Sequence, residues 1–251
     1  MRSLTIPLKR TRALQAVASL WLLGAALVLP SAGRQEHPLN SAAAVRALLQ
    51  AKPAPISLGT VSGNLYTNES LGLEFTFPAD WFVDKHSMEA ENEAANKFHS
   101  SQQQNTPSSN EHTSYTLLIV SESQEQPGCR GCESVEVFGP KIELSAGPFT
   151  AFQGHQTALD IQIAMKHLLE KRKIYEIIGG PEACSYGGQD FSRMETKASV
   201  FPDRFTYLGD AITIRNSYWI EFQLHARSPE ELDKLYQTLG SVQFTSTESD
   251  R

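Results

Sequence analysis

Basic residues are in short supply: 22 Lys and Arg stand against 28 Asp and Glu, a formal charge of −6 over 251 residues. Nucleic-acid binding normally needs a basic face, so that class of partner is disfavoured. Only three cysteines are present, Cys129, Cys132 and Cys184. A zinc site would need a second Cys or His pair at ligand spacing, and none accompanies them. Glycine pairs occur at Gly179-Gly180 and Gly187-Gly188, but neither follows the Gly-x-Gly-x-x-Gly or Gly-Lys-Ser/Thr patterns that cradle phosphates, so both read as turns. There is no Gly-x-Ser-x-Gly nucleophile elbow. No catalytic residue, cofactor site or metal site is therefore assigned. What remains is ordinary for a folded protein, with 40% hydrophobic and 9% aromatic residues, enough for a core.

Long apolar runs are also scarce, with one exception. Lys9, Arg10 and Arg12 precede Ala13–Leu29, which carries no charge and is rich in Leu, Ala and Val. A basic segment followed by a short apolar one is the pattern of a secretory signal. Ser31 and Gly33 suit a signal-peptidase site, so residues 1–33 read as a signal peptide and the mature chain as starting at Arg34. Its removal takes four basic residues and no acid, leaving 18 basic against 28 acidic residues, a net of −10. The rival reading is an uncleaved single-pass anchor through residues 13–29, because 17 uncharged residues lie at the short end of a membrane span. No Cys follows the run to accept a lipid, and no adjacent Arg pair marks the twin-arginine route. The expected location is extracytoplasmic, periplasmic or secreted, with membrane contact only through the signal segment if it is retained.

Residues 34–65 are rich in Ala, Pro, Ser and Gly and read as a linker, with a short helical candidate at Ser41–Gln50. The domain is expected over 66–245, followed by a polar tail at 246–251. Leu73, Phe75 and Phe77 alternate with polar residues as a half-buried strand does, and Tyr115–Glu122 and Ser134–Gly139 are further strand candidates around a loop at Ser123–Glu133. Thr157–Lys173 reads as a helix with Ala158, Ile161, Ala164, Met165, Leu168 and Leu169 on one face and Gln162 elsewhere. Hairpins are expected around Gly187-Gly188 and Asn216-Ser217. Ser228-Pro229-Glu230-Glu231 is a capping box opening a helix that Gly240 stops, and Val242 and Phe244 form a last strand. Residues 89–113 are rich in Asn, Gln, Ser, Glu and His, with Phe98 the only large apolar residue, and read as a disordered polar insertion. The implied fold class is α+β, an α/β/α sandwich with a mainly antiparallel sheet flanked by helices.

The segment Tyr66-Thr67-Asn68 followed by Leu71-Gly72-Leu73-Glu74-Phe75-Thr76-Phe77-Pro78-Ala79-Asp80-Trp81 resembles the opening of bacterial PsbP-like domains. The end is similar too, with Tyr218-Trp219 in a hairpin, the Ser228–Glu231 cap, and Val242 and Phe244. The resemblance covers roughly residues 66–245 and implies an antiparallel sheet between helices, shared with PsbP of photosystem II. It also implies a binding or assembly module without a common catalytic residue set, so no active site is carried over. The insertion at 89–113 and the Cys-x-x-Cys loop depart from the pattern.

Cys129-Arg130-Gly131-Cys132 is the sharpest chemical signal. A disulfide between Cys129 and Cys132, a thioredoxin-like redox pair and a metal site all remain open, although Pro127, Gly128 and Gly131 put a turn where a redox enzyme has a helix N-terminus. Cys184 is left to pair with either, to stay buried, or to link chains. His86, His99 and His112 recur every 13 residues beside the polar insertion, where a solvated loop is the reading. His155, His167 and His225 read as surface or rim residues, and Glu230 and Glu231 as parts of the cap. The functional expectation is an exported, non-enzymatic binding domain for an envelope protein or small ligand. The alternatives are a thiol-disulfide protein using the Cys-x-x-Cys loop and a membrane-anchored hydrolase with an unrecognised site.

Overall fold

Alternation of apolar and polar residues builds two antiparallel sheets in the computed structural model, which describes residues 56–103, 114–122, 139–149, 157–172, 175–201 and 204–245. The smaller sheet has the order β1-β2-β3-β11, from Thr60–Ser62, Leu65–Asn68, Leu73–Thr76 and Gln243–Phe244. The larger has seven strands, β4 (Phe82–Val83), β5 (Tyr115–Ser121), β6 (Lys141–Pro148), β10 (Tyr218–Ala226), β9 (Arg204–Arg215), β8 (Gln189–Phe201) and β7 (Tyr175–Tyr186), in that order. Among the described residues the helices are α1 (Lys85–Gln103), α2 (Ala158–Arg172) and α3 (Pro229–Thr238), with a 3-10 turn at Leu239–Ser241. The class is α+β and mainly antiparallel, as the hairpin pattern implies.

The main core lies between the sheets. Tyr66, Leu73 and Phe75 of the small sheet, with Leu71 and Phe77 beside them, meet Val120, Ile142, Leu144, Ile220, Phe222 and Leu224 of the large one, and α3 closes the layer with Leu232, Leu235 and Tyr236. Phe75 and Phe222 pack edge to face at 5.3 Å, a geometry that suits the ring quadrupoles. A second core forms on the opposite face of the large sheet, where Ile161, Met165 and Leu169 of α2 cover Met194 and Ile212. Helices thus lie on both faces of the large sheet.

Four expectations change. Residues 56–65, assigned to the linker, belong to the fold: Ile56 packs on the core and β1 pairs with β2. Tyr66 and Asn68 hold this entry segment through Tyr66 Oη donating to the Leu58 carbonyl at 3.0 Å and Asn68 Nδ2 to the Ser57 carbonyl at 2.7 Å. Much of the polar run at 89–113 is helical, since α1 extends to Gln103. Asp84 starts it, its carboxylate accepting from the Ser87 amide at 3.0 Å and the Ser87 hydroxyl at 2.6 Å, and Ala- and Glu-rich residues then favour the helix. Gly179-Gly180 is a bulged stretch within β7 rather than a turn, with Gly180 at φ +69° and so near β8 that a Cβ would stand 2.4 Å from the Arg193 carbonyl oxygen. Gly240 does not provide the left-handed stop, because α3 continues through a 3-10 turn containing it.

Other expectations match. Gly187 and Gly188 turn the β7–β8 hairpin with φ of +57° and +74°, and Asn216 and Ser217 turn β9–β10 with +50° and +65°. Ser228 caps α3, its hydroxyl accepting from the Glu231 amide at 3.2 Å. The reciprocal bond reaches one residue further back than expected, from the Arg227 amide to Glu231 Oε2 at 2.9 Å. The segments 1–55, 104–113, 123–138, 150–156 and 246–251, which include Cys129, Cys132, His112 and His155, lie outside the described residues. No helix of the described residues is long and apolar enough to cross a membrane.

Candidate functional site

Strand register arranges polar side chains into rows on the face of the large sheet that carries α1 and α2. One row runs Thr116, Ser145, Glu221, Ile212, Ser192 across β5, β6, β10, β9 and β8. The next runs Ile119, Glu143, Gln223, Asp210, Met194, and the third Ser121, Lys141, His225, Leu208, Thr196. Gln223 is thereby flanked by Glu143 and Asp210 across the strands and by Glu221 and His225 along its own strand.

Three carboxyl groups here are buried, with relative exposures of 8% for Glu143, 6% for Asp210 and 7% for Glu221. Removal from water disfavours the charged form of each. Glu143 escapes, because although burial opposes its charge, the Lys141 ammonium contacts it and holds its carboxyl below the usual range. Among the described residues Asp210 and Glu221 have no such partner. Burial pushes Asp210 up to about 7, and burial together with the neighbouring Asp210 pushes Glu221 up to about 8. Among the described residues no hydrogen-bond donor reaches Glu221 Oε1. Burial, with Lys141 adding to it, pushes His225 down to about 4, so the imidazole is neutral at pH 7.

The helices close over this strip from two sides. On α1, Asn92 makes a two-point contact with the Thr116 backbone, donating to its carbonyl at 2.9 Å and accepting from its amide at 3.0 Å, while Glu91 Oε2 accepts from the Thr116 hydroxyl at 2.8 Å. On α2, Gln162 is fully buried, not turned to solvent as its helical position suggests. Its Nε2 donates to the Asp210 carbonyl at 2.9 Å and its Oε1 accepts from the Ser192 hydroxyl at 2.6 Å. The strip can hold a proton or negative charge away from water. Among the described residues no three His, Cys, Asp or Glu side chains converge as a metal ion would require.

The residues singled out by sequence fall elsewhere, with one exception. His225 joins the strip beside Glu143. His86 opens α1 and His99 lies further along it, while exposed His167 stands 3.4 Å from Glu170 on α2. Leu168, expected on the apolar face of α2, is 38% exposed. Cys184 is a free thiol on β7, and burial pushes its pKa up, the opposite of an activated nucleophile. Asp210, Glu221, Glu143 and Gln162 escaped sequence reasoning. Polar alternation on β10 reads as a solvated face, and the only hint otherwise is an uncharged Gln162 in a helix bordered by apolar residues.

No protein-family model matches the chain, and no curated protein matches it significantly. Among solved structures it is similar to LpqN of Mycobacterium tuberculosis, a protein involved in cell envelope biogenesis, with 12% identity and a TM-score of 0.39 over 69% of this chain and 83% of that one. It is similar to the PsbP protein CyanoP of Synechocystis sp. PCC 6803 with 14% identity and a TM-score of 0.40, over 74% of this chain and 96% of that one. A Bacteroides thetaiotaomicron protein shows 9% identity and a TM-score of 0.34 over 70% of this chain and 46% of that one.

Proposed function

We propose that this chain is an exported, non-catalytic α+β domain of PsbP-like type that binds a protein partner or small ligand at the cell envelope. One observation carries the reading: the motif residues at both ends of the domain are spent on construction. Tyr66 and Asn68 anchor the entry segment, Phe75 and Phe77 fill the core, Ser228 and Glu231 cap α3, and Val242, buried in the core, closes the 3-10 turn with its amide on the Leu239 carbonyl. A fold maintained by packing residues, behind a segment with the pattern of an export signal, fits a module whose surface meets its ligand. The mature net charge of −10 favours a basic or neutral partner.

The experiment is cross-linking of the full chain in intact cells, followed by measurement of binding between the purified mature chain and each cross-linked species. The reading predicts a saturable partner whose complex weakens as salt screens the acidic surface. Turnover of a substrate by the mature chain, with no saturable partner, would overturn it.

A further inference from the structure

Among the described residues the polar strip contains more buried negative charge than its basic groups neutralise. Lys141 of β6 is committed to Glu143, His225 of β10 is neutral at pH 7, and α2 contributes only the amide of Gln162. Glu91 of α1 faces Glu143 and Lys141 and adds another acid. From β8 the neighbouring residues are Ser192 and Met194, neither charged. Asp210 and Glu221 are diagonal neighbours on adjacent strands, Asp210 standing opposite Gln223 and Glu221 opposite Ile212, near enough for the charge of Asp210 to oppose that of Glu221. Were both ionised, two charges without a described cation partner would lie out of water, an arrangement that a low-dielectric interior strongly disfavours.

We propose that Asp210 and Glu221 hold one proton between them in the folded domain at neutral pH, and that this proton is released when α2 lifts from the sheet. Ile212 and Met194, which flank the pair, form the floor under Ile161, Met165 and Leu169 of α2. Gln162 ties α2 to the Asp210 backbone itself. Lifting α2 uncovers Ile212 and Met194 and so opens the strip to water from its Asp210 side; a carboxyl that water reaches ionises in the ordinary range, the acid becoming a carboxylate and its proton passing to solvent. The closed state binds more protons than the open state between the ordinary carboxylate range and the pair's own midpoint. Docking of α2 is therefore strongest in mild acid, weakens as pH rises towards about 8, and levels off above it.

Amide hydrogen exchange of the mature chain between pH 5 and 8, corrected for intrinsic rates, tests this. Exchange across residues 158–172 should accelerate as pH rises, by up to about tenfold per pH unit for each linked proton. Glu221→Gln should remove most of that acceleration. Infrared spectra should show a protonated carboxylic acid at pH 7 in the wild-type protein, a readout that needs no variant. A flat exchange profile for α2, an unchanged slope in a folded Glu221→Gln protein, or no protonated carboxyl at pH 7 would overturn the proposal. The last result would mean that both groups are ionised and a cation balances them.

Discussion

At the scale of single residues, backbone sign and burial decide the consequences of substitution. Ser217 occupies the second position of a hairpin turn at φ +65°, where a Cβ is strained and glycine is not. Ser217→Gly should stabilise the domain by about 0.5–1 kcal/mol, read as a higher melting temperature. Gly187→Ala should do the reverse, because its Cβ would meet the Val242 carbonyl oxygen at under 2 Å as well as adopting a positive φ; a lower melting temperature in thermal denaturation checks it. The Asn216-Ser217 and Gly187-Gly188 turns were legible because turn chemistry is local. Asp210 and Glu221 were not, since a polar residue on an alternating strand looks solvated unless one knows that helices cover that side of the sheet.

Among the elements, α3 was readable almost to the residue, because its cap is written within four positions. Ser228→Ala should cost about 1 kcal/mol in denaturant unfolding, with the m-value unchanged. Helix α1 was not readable, since its polar composition has little apolar face; docking rests on Asn92 and Glu91 reaching the Thr116 backbone and hydroxyl of β5, contacts between residues 24 and 25 positions apart. Asn92→Ala should raise amide exchange through the first half of α1 while leaving α3 protected. If both helices respond alike, α1 is held by something other than this contact. Gln162 sits between these cases: its helix was foreseen from periodicity, but its inward orientation follows from Ser192 and Asp210, 30 and 48 residues away.

For the whole molecule, stability is bounded by pH from both sides. As pH rises from about 5 to about 8, the unfolded chain gives up the protons that Asp210 and Glu221 retain in the fold, so stability declines. As pH falls below about 6.5 towards 4, the unfolded chain gains the proton that His225 refuses in the fold, so stability declines there as well. Chemical denaturation across that range should show Glu221→Gln flattening the alkaline arm and His225→Gln the acid arm. The two-ended α+β plan was legible because hairpins and caps punctuate the chain; the division into two sheets was not, because β11 pairs with β3 across some 170 residues. The proposed function requires that this domain work outside the cytoplasm, carried there by the segment ahead of it. Intact-mass analysis of the protein recovered from fractionated cells tests that most directly. An extracytoplasmic chain beginning at Arg34 is the predicted result; a full-length chain confined to the cytoplasm would contradict it.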